Sequence, residues 1–104
     1  KTKEKILADI SLQHQFLAFA SDYSLLLSAT LPHRKALENA KMYYASLDHA
    51  LWFHRDFKID DWLLHAIESP SASNARGFSR GSIFDRSGKM IASSSQEGLM
   101  RKYN

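Results

Sequence analysis

A chain of 104 residues, 44% hydrophobic and 24% charged, has room for one domain with a single core. It has no cysteine, which removes disulfides, thiolate nucleophiles and cysteine-based zinc sites. The net charge of +3 comes from scattered Lys and Arg, which suits an anionic ligand rather than a nucleic-acid-binding face, and no apolar run approaches the roughly 20 residues that span a bilayer.

The first element in chain order is a possible helix start at Lys3-Glu4-Lys5-Ile6-Leu7. Asp9 and Ser11 then stand as N-caps, because their side chains accept from the free N–H groups of a first turn. A long helix is expected over residues 11–29, stopped by Pro32. Its apolar residues Phe16, Leu17, Phe19, Tyr23, Leu25, Leu26 and Leu27 go nearly all round the helical wheel, so burial on most sides is expected. One carboxylate, Asp22, sits among them and needs partners or a wet pocket. Residues 33–42 read as a polar surface connection, with room for a turn of helix at Leu37-Glu38-Asn39-Ala40.

From Tyr43 the apolar period changes towards 2. Residues 43–55 read as a strand with Ser46, Asp48, Ala50 and Trp52 on one face and Leu47, His49, Leu51 and Phe53 on the other. Residues 62–69 form a second strand, ended by the loop Pro70-Ser71-Ala72-Ser73-Asn74. The third spans 76–85, where Gly77 and Gly81 suggest bulges or close backbone approach. Asp85-Arg86-Ser87-Gly88-Lys89 is a hairpin signal, and residues 90–101 form the fourth strand. One helix followed by four antiparallel strands predicts an α+β domain, its sheet curved around the helix.

Ser46-Leu47-Asp48-His49-Ala50-Leu51-Trp52-Phe53-His54-Arg55 carries a resemblance. So do Ala20-Ser21-Asp22, Trp62-Leu63-Leu64, Glu68-Ser69-Pro70-Ser71-Ala72, Arg76-Gly77-Phe78, Arg80-Gly81 and Gln96-Glu97-Gly98-Leu99-Met100-Arg101. From about residue 14 onward the chain resembles the C-terminal half of the acyl-CoA thioesterase II family, the double-hotdog thioesterases. The resemblance implies a hotdog fold, with the family's first strand and its N-terminal hotdog outside this sequence. It also implies hydrolysis of acyl-CoA to free fatty acid and coenzyme A, with no metal and no cofactor beyond the coenzyme A of the substrate. A second hotdog or another copy is the implied partner, in peroxisomes if the source is eukaryotic and in the cytoplasm if bacterial.

The family's catalytic Asp, hydroxyl residue and Gln fall on Asp22, Ser46 and Gln96. A carboxylate can take a proton from water while a hydroxyl and an amide fix its orientation, so these three residue types suit thioester hydrolysis. Backbone N–H groups at the start of the helix are a further expectation, as donors to the thioester oxygen. Asp48 reads as a structural carboxylate, while Trp52, Phe53 and Trp62 read as core. His49 and His54 read as packing or surface groups, and no His pair has metal-ligand spacing. Arg76, Arg80 and Arg101 are candidate ligands for coenzyme A phosphates, with a solvated strand face as the equal alternative. The rival functions are a non-catalytic acyl-CoA-binding or assembly module, and a basic nucleic-acid binder. An intact Asp, Ser and Gln set argues against the first, and the scattered charge against the second.

Overall fold

Asp9 opens the first helix. Its carboxylate accepts from the Leu12 N–H at 3.0 Å, and helix α1 runs Ile10–Ser21. The computed structural model describes residues 1, 9–23 and 25–102, so the possible helix start at 3–7 lies outside the described residues. Helix α1 buries Gln13, Leu17 and Ser21, which is one stripe and not its full circumference. Phe16 and Phe19 stay 39% and 71% exposed, and Tyr23 beyond the helix is 71% exposed. The expectation of burial on most sides is therefore corrected, because a helix lying on one face of an open sheet has only one side covered.

The helix expected over 11–29 ends at Ser21, turns at Asp22 and Tyr23, and resumes as α2, Leu25–Ser28. The reason lies in the spacing of the residues that reach the sheet. Gln13, Leu17, Ser21, Leu25 and Ala29 are all buried, and each lies four after the last. A step of four residues overshoots one turn of a straight helix by about 40°, so five such positions cannot share one face. The turn at Asp22 brings Leu25 and Ala29 back onto the sheet. A 3-10 turn at Leu31–His33 and a short helix α3, Arg34–Leu37, complete the connection.

Five antiparallel strands follow: β1 Met42–Ser46, β2 Ala50–Phe53, β3 Leu64–Ser73, β4 Arg76–Phe84 and β5 Met90–Lys102. The order is β1-β5-β4-β3, with β2 also paired to β5, so β3 is one edge and β1 with β2 the other. The expected strand 43–55 is thus two pieces along one neighbour. Ser46 lies opposite Gly98 and Ala50 opposite Ser95, so Leu47, Asp48 and His49 span only Gln96 and Glu97. That is a one-residue bulge, and it exchanges the two faces of the strand beyond it. Ser46 pairs on the helix-facing side, but so do Leu51 and Phe53, while Ala50 and Trp52 turn outward. The predicted grouping of Ser46 with Asp48, Ala50 and Trp52 fails for this reason.

Asp48 holds the bulge. Its side chain accepts from the Glu97 N–H at 2.7 Å, and the N–H groups of Leu47 and Asp48 both reach the Glu97 carbonyl, at 3.0 and 3.3 Å. The structural reading of Asp48 is correct. Pro70 does not end its strand, because β3 is an edge where a missing N–H costs no ladder bond, and the register shifts between Glu68 and Ser71.

The hairpin at Asp85 forms as expected. Its carboxylate accepts from Ser87 N, Ser87 Oγ and Lys89 N, which together hold it below the usual carboxylate range, and Gly88 takes φ +88. Close approach is also borne out at Gly77, where a Cβ would stand 2.7 Å from that of Ala29. Leu17 packs with Phe57, Ile59, Ile83, Ile91 and Ala92 into the core. Trp52 and Trp62, expected there, are 52% and 55% exposed, and Phe53 is 37% exposed and stacked on His14 at 3.8 Å.

Candidate active site

Gln96 belongs to the helix-facing side of β5, opposite Ser79 of β4, and is 1% exposed. A buried amide needs hydrogen-bond partners. Its Nε2 donates to Ser46 Oγ at 2.6 Å, and its Oε1 lies 2.9 Å from His49 Nδ1. His49 is placed there by the bulge after Ser46. Its other ring nitrogen, Nε2, is 2.8 Å from Ser21 Oγ, on the last residue of α1. Asp22, the next residue, puts Oδ1 3.8 Å from His49 Nδ1 and leaves half of its side chain in water.

Asp22, Gln96 and Ser46, separated widely along the chain, are thus linked through His49, which stands between Asp22 and Gln96 near the C-terminal end of α1. Asp22, His49, Ala18, Phe19 and Tyr23 line an open hollow of about 430 Å³. Its wall offers a carboxylate and an imidazole beside two aromatic rings. The N–H donors expected from the start of α1 are absent here, because Asp9 caps the opposite end of that helix. The end that meets the cluster carries the negative pole of the helix, which opposes an oxyanion.

His49 is the residue that sequence reasoning missed. Only the pairing with β5 reveals it. Ser46 and the apolar Leu51 and Phe53 all face the helix, and no unbroken strand puts an even and an odd position on the same side. An extra residue was therefore required between them. Further along the same face, His65 Nε2 lies 3.1 Å from Ser94 Oγ, and burial first, then the nearby His49, lowers its pKa.

The three arginines lie elsewhere. Arg76 pairs with Glu97 at 3.3 Å and Arg80 with Glu68, both on the sheet face turned away from α1. Arg101 is exposed on that same face, opposite Tyr43. None of the three joins the Asp22 cluster. Among the described residues, no group of three or more His, Asp or Glu side chains is placed to hold a metal ion, and no helix is long and apolar enough to cross a membrane.

Comparison with known proteins agrees with the fold. The chain is 44% identical over 101 residues to acyl-CoA thioesterase 2 of Haemophilus influenzae, a match covering 97% of this chain and 35% of that protein. It is 40% identical over 93 residues to mouse acyl-coenzyme A thioesterase 8, covering 89% and 28%. The crystal structure of acyl-CoA thioesterase II TesB2 from Mycobacterium marinum superposes with a TM-score of 0.92 at 39% identity, over all of this chain and 40% of that one. The chain therefore spans about a third of the length of the curated relatives it matches. The architecture is the α+β hotdog of the thioesterases. The acyl-CoA thioesterase profile matches residues 1–99, and the chain belongs to that family.

Proposed function

We propose that this chain supplies the catalytic hotdog of an acyl-CoA thioesterase, hydrolysing the thioester with a water held by Asp22, Ser46 and Gln96. The observation that supports the reading is the buried amide of Gln96, hydrogen-bonded to Ser46 and to His49, whose ring lies 3.8 Å from the Asp22 carboxylate and lines an aromatic-walled hollow with it. In the proposed step the water gives a proton to Asp22 as its oxygen bonds to the thioester carbon. The C–S bond then breaks, and the proton goes on to the leaving sulfur, giving fatty acid and coenzyme A thiol. Ser46 aims the water and Gln96 holds Ser46, which is where an orienting group gains rate. Coenzyme A enters only as part of the substrate.

The same reading includes a partner. Phe19 on α1, Tyr23 in the turn after it, Leu27 on α2 and Leu31 at the 3-10 turn are 58% to 71% exposed, and β3 is an open sheet edge. Exposed edges and apolar patches of this kind are covered in stable proteins. We read a second hotdog as the cover, in the same polypeptide or in another copy, across an interface of about 1,000 Å² or more. Release of thiol from an acyl-CoA by the full-length protein is the test. Ser46→Ala and Gln96→Ala are each expected to lower kcat more than they raise KM. Unchanged kcat with raised KM in both would remove them from the chemistry and leave them as substrate-binding groups.

A further inference from the structure

We propose that His49 is a positioning residue of this site. It decides which end of the Gln96 amide faces Ser46, and so whether Ser46 presents its proton to the catalytic water. The inference rests on the hydrolase reading above and adds a residue to it.

A primary amide has a donor end and an acceptor end of nearly the same shape, so its neighbours must choose between them. Ser46 cannot choose, because a hydroxyl both donates and accepts. His49 can. With a proton on Nδ1, it requires the amide oxygen 2.9 Å away to face it, and the amide nitrogen is then turned to Ser46 Oγ at 2.6 Å. The Asp22 carboxylate favours the proton on Nδ1, since it lies 3.8 Å from that atom. Ser21 Oγ, 2.8 Å from Nε2, also lies 3.1 Å from the Ala18 carbonyl and has one proton for the two, so it leaves the choice to Asp22.

The hydrogen bonds then run in one direction: His49 to Gln96, and Gln96 to Ser46. Ser46 accepts at the end of this chain, so its own proton is left to donate to the water oxygen. One water lone pair takes that proton, a water hydrogen points to Asp22, and the second lone pair is left to attack. If the amide turned over, Ser46 would donate back to Gln96 and offer the water only an acceptor. The bulge at Leu47–Asp48–His49 gives the arrangement its geometry, since an unbroken strand would point His49 to the other face.

The test compares four variants of the full-length protein in the thiol-release assay, with folding checked by circular dichroism. His49→Ala and His49→Phe are expected to lower kcat about 10- to 100-fold with KM changed less than about threefold, the loss typical of a supporting hydrogen bond at a reactive site. His49→Asn keeps an N–H donor near the Nδ1 position and is expected to recover most of that loss. Full recovery by Phe but not Asn would show that only ring packing matters, and would overturn the proposal. An Asn variant as slow as Ala, though folded, would also overturn it, because a titrating imidazole would then be required. Wild-type kcat in the Ala variant would overturn it too. Asp22→Asn separates the two levels: near-normal turnover there defeats the proposed water activation at Asp22 and this inference together, whereas lost turnover there beside an active His49→Ala defeats the inference alone.

Discussion

Ser95 and Gln96 are neighbours on β5 and face opposite sides of the sheet. Around Ser95, on the outer side, Arg80 pairs with Glu68 in water, and Trp52, Phe78 and Phe84 help to line a groove of about 500 Å³. On the inner side, the hollow beside His49 is smaller, at about 430 Å³, but the groups from Ser21 through His49 and Gln96 to Ser46 are bonded across elements around a buried amide. The outer pair gains little from its Coulomb attraction, because solvent screens it and two long side chains must be held. The inner groups have few alternative partners, so each fixes the orientation of the next. What distinguishes a site from a polar surface here is thus mutual orientation under burial rather than the number of charges or the size of the depression.

The comparison can be broken from the inner side first. Gln96→Leu keeps the bulk but strands Ser46 and His49, and turnover is expected to fall about 10²- to 10⁴-fold, as for lost groups that act on proton transfer. Thiol release by a folded Gln96→Leu variant at more than a tenth of the wild-type rate would put this amide on a level with the outer pairs. Next in size is Gly77→Ala. Its methyl would meet the Ala29 Cβ at 2.7 Å with no flexible side chain to yield, so a loss of about 1–3 kcal/mol in urea unfolding is expected.

His65 sharpens the contrast through pH. Burial and the nearby His49 hold its folded pKa below the ordinary value of about 6.5. In the window between the two values the unfolded chain binds more protons than the folded one, so stability rises with pH across it. It is lost as the pH falls through about 6.5 towards the folded value. Urea midpoints of wild type and His65→Gln should diverge in that window, with the variant showing the flatter profile. The smallest effect is expected outside. Arg80→Ala and Arg76→Ala should cost about 0–1 kcal/mol and leave kcat unchanged. A large rise in KM for acyl-CoA in either variant would make these arginines phosphate ligands and give the outer face a role in the site.

Much of this was legible in the residues. Asp85 to Lys89 dictated the hairpin, since Gly88 alone there adopts positive φ freely and Asp85 collects its turn's donors. Asp9 marked the helix start. The positions of Asp22, Ser46 and Gln96 came from the family resemblance, and no periodicity in the chain would have joined them. Where reading failed, it was at breaks. A run of apolar residues from Phe16 to Leu27 carries no mark of a turn at Asp22, and Pro70 read as a stop because its strand was not known to be an edge. The bulge before Ala50 was hidden because alternation is counted along one strand, whereas a bulge is a property of two. That single miss removed His49 from the site.

The most direct measurement is the turnover of Asp22→Asn in the full-length protein, followed as thiol released from an acyl-CoA. Asparagine keeps the shape and the possible contact with His49 but cannot take the proton of water. A fall in kcat of about 10²- to 10⁴-fold, with KM little changed and the fold intact, is the predicted result. Turnover within a few-fold of wild type would contradict it, and would mean that the carboxylate beside His49 is not where the water gives up its proton.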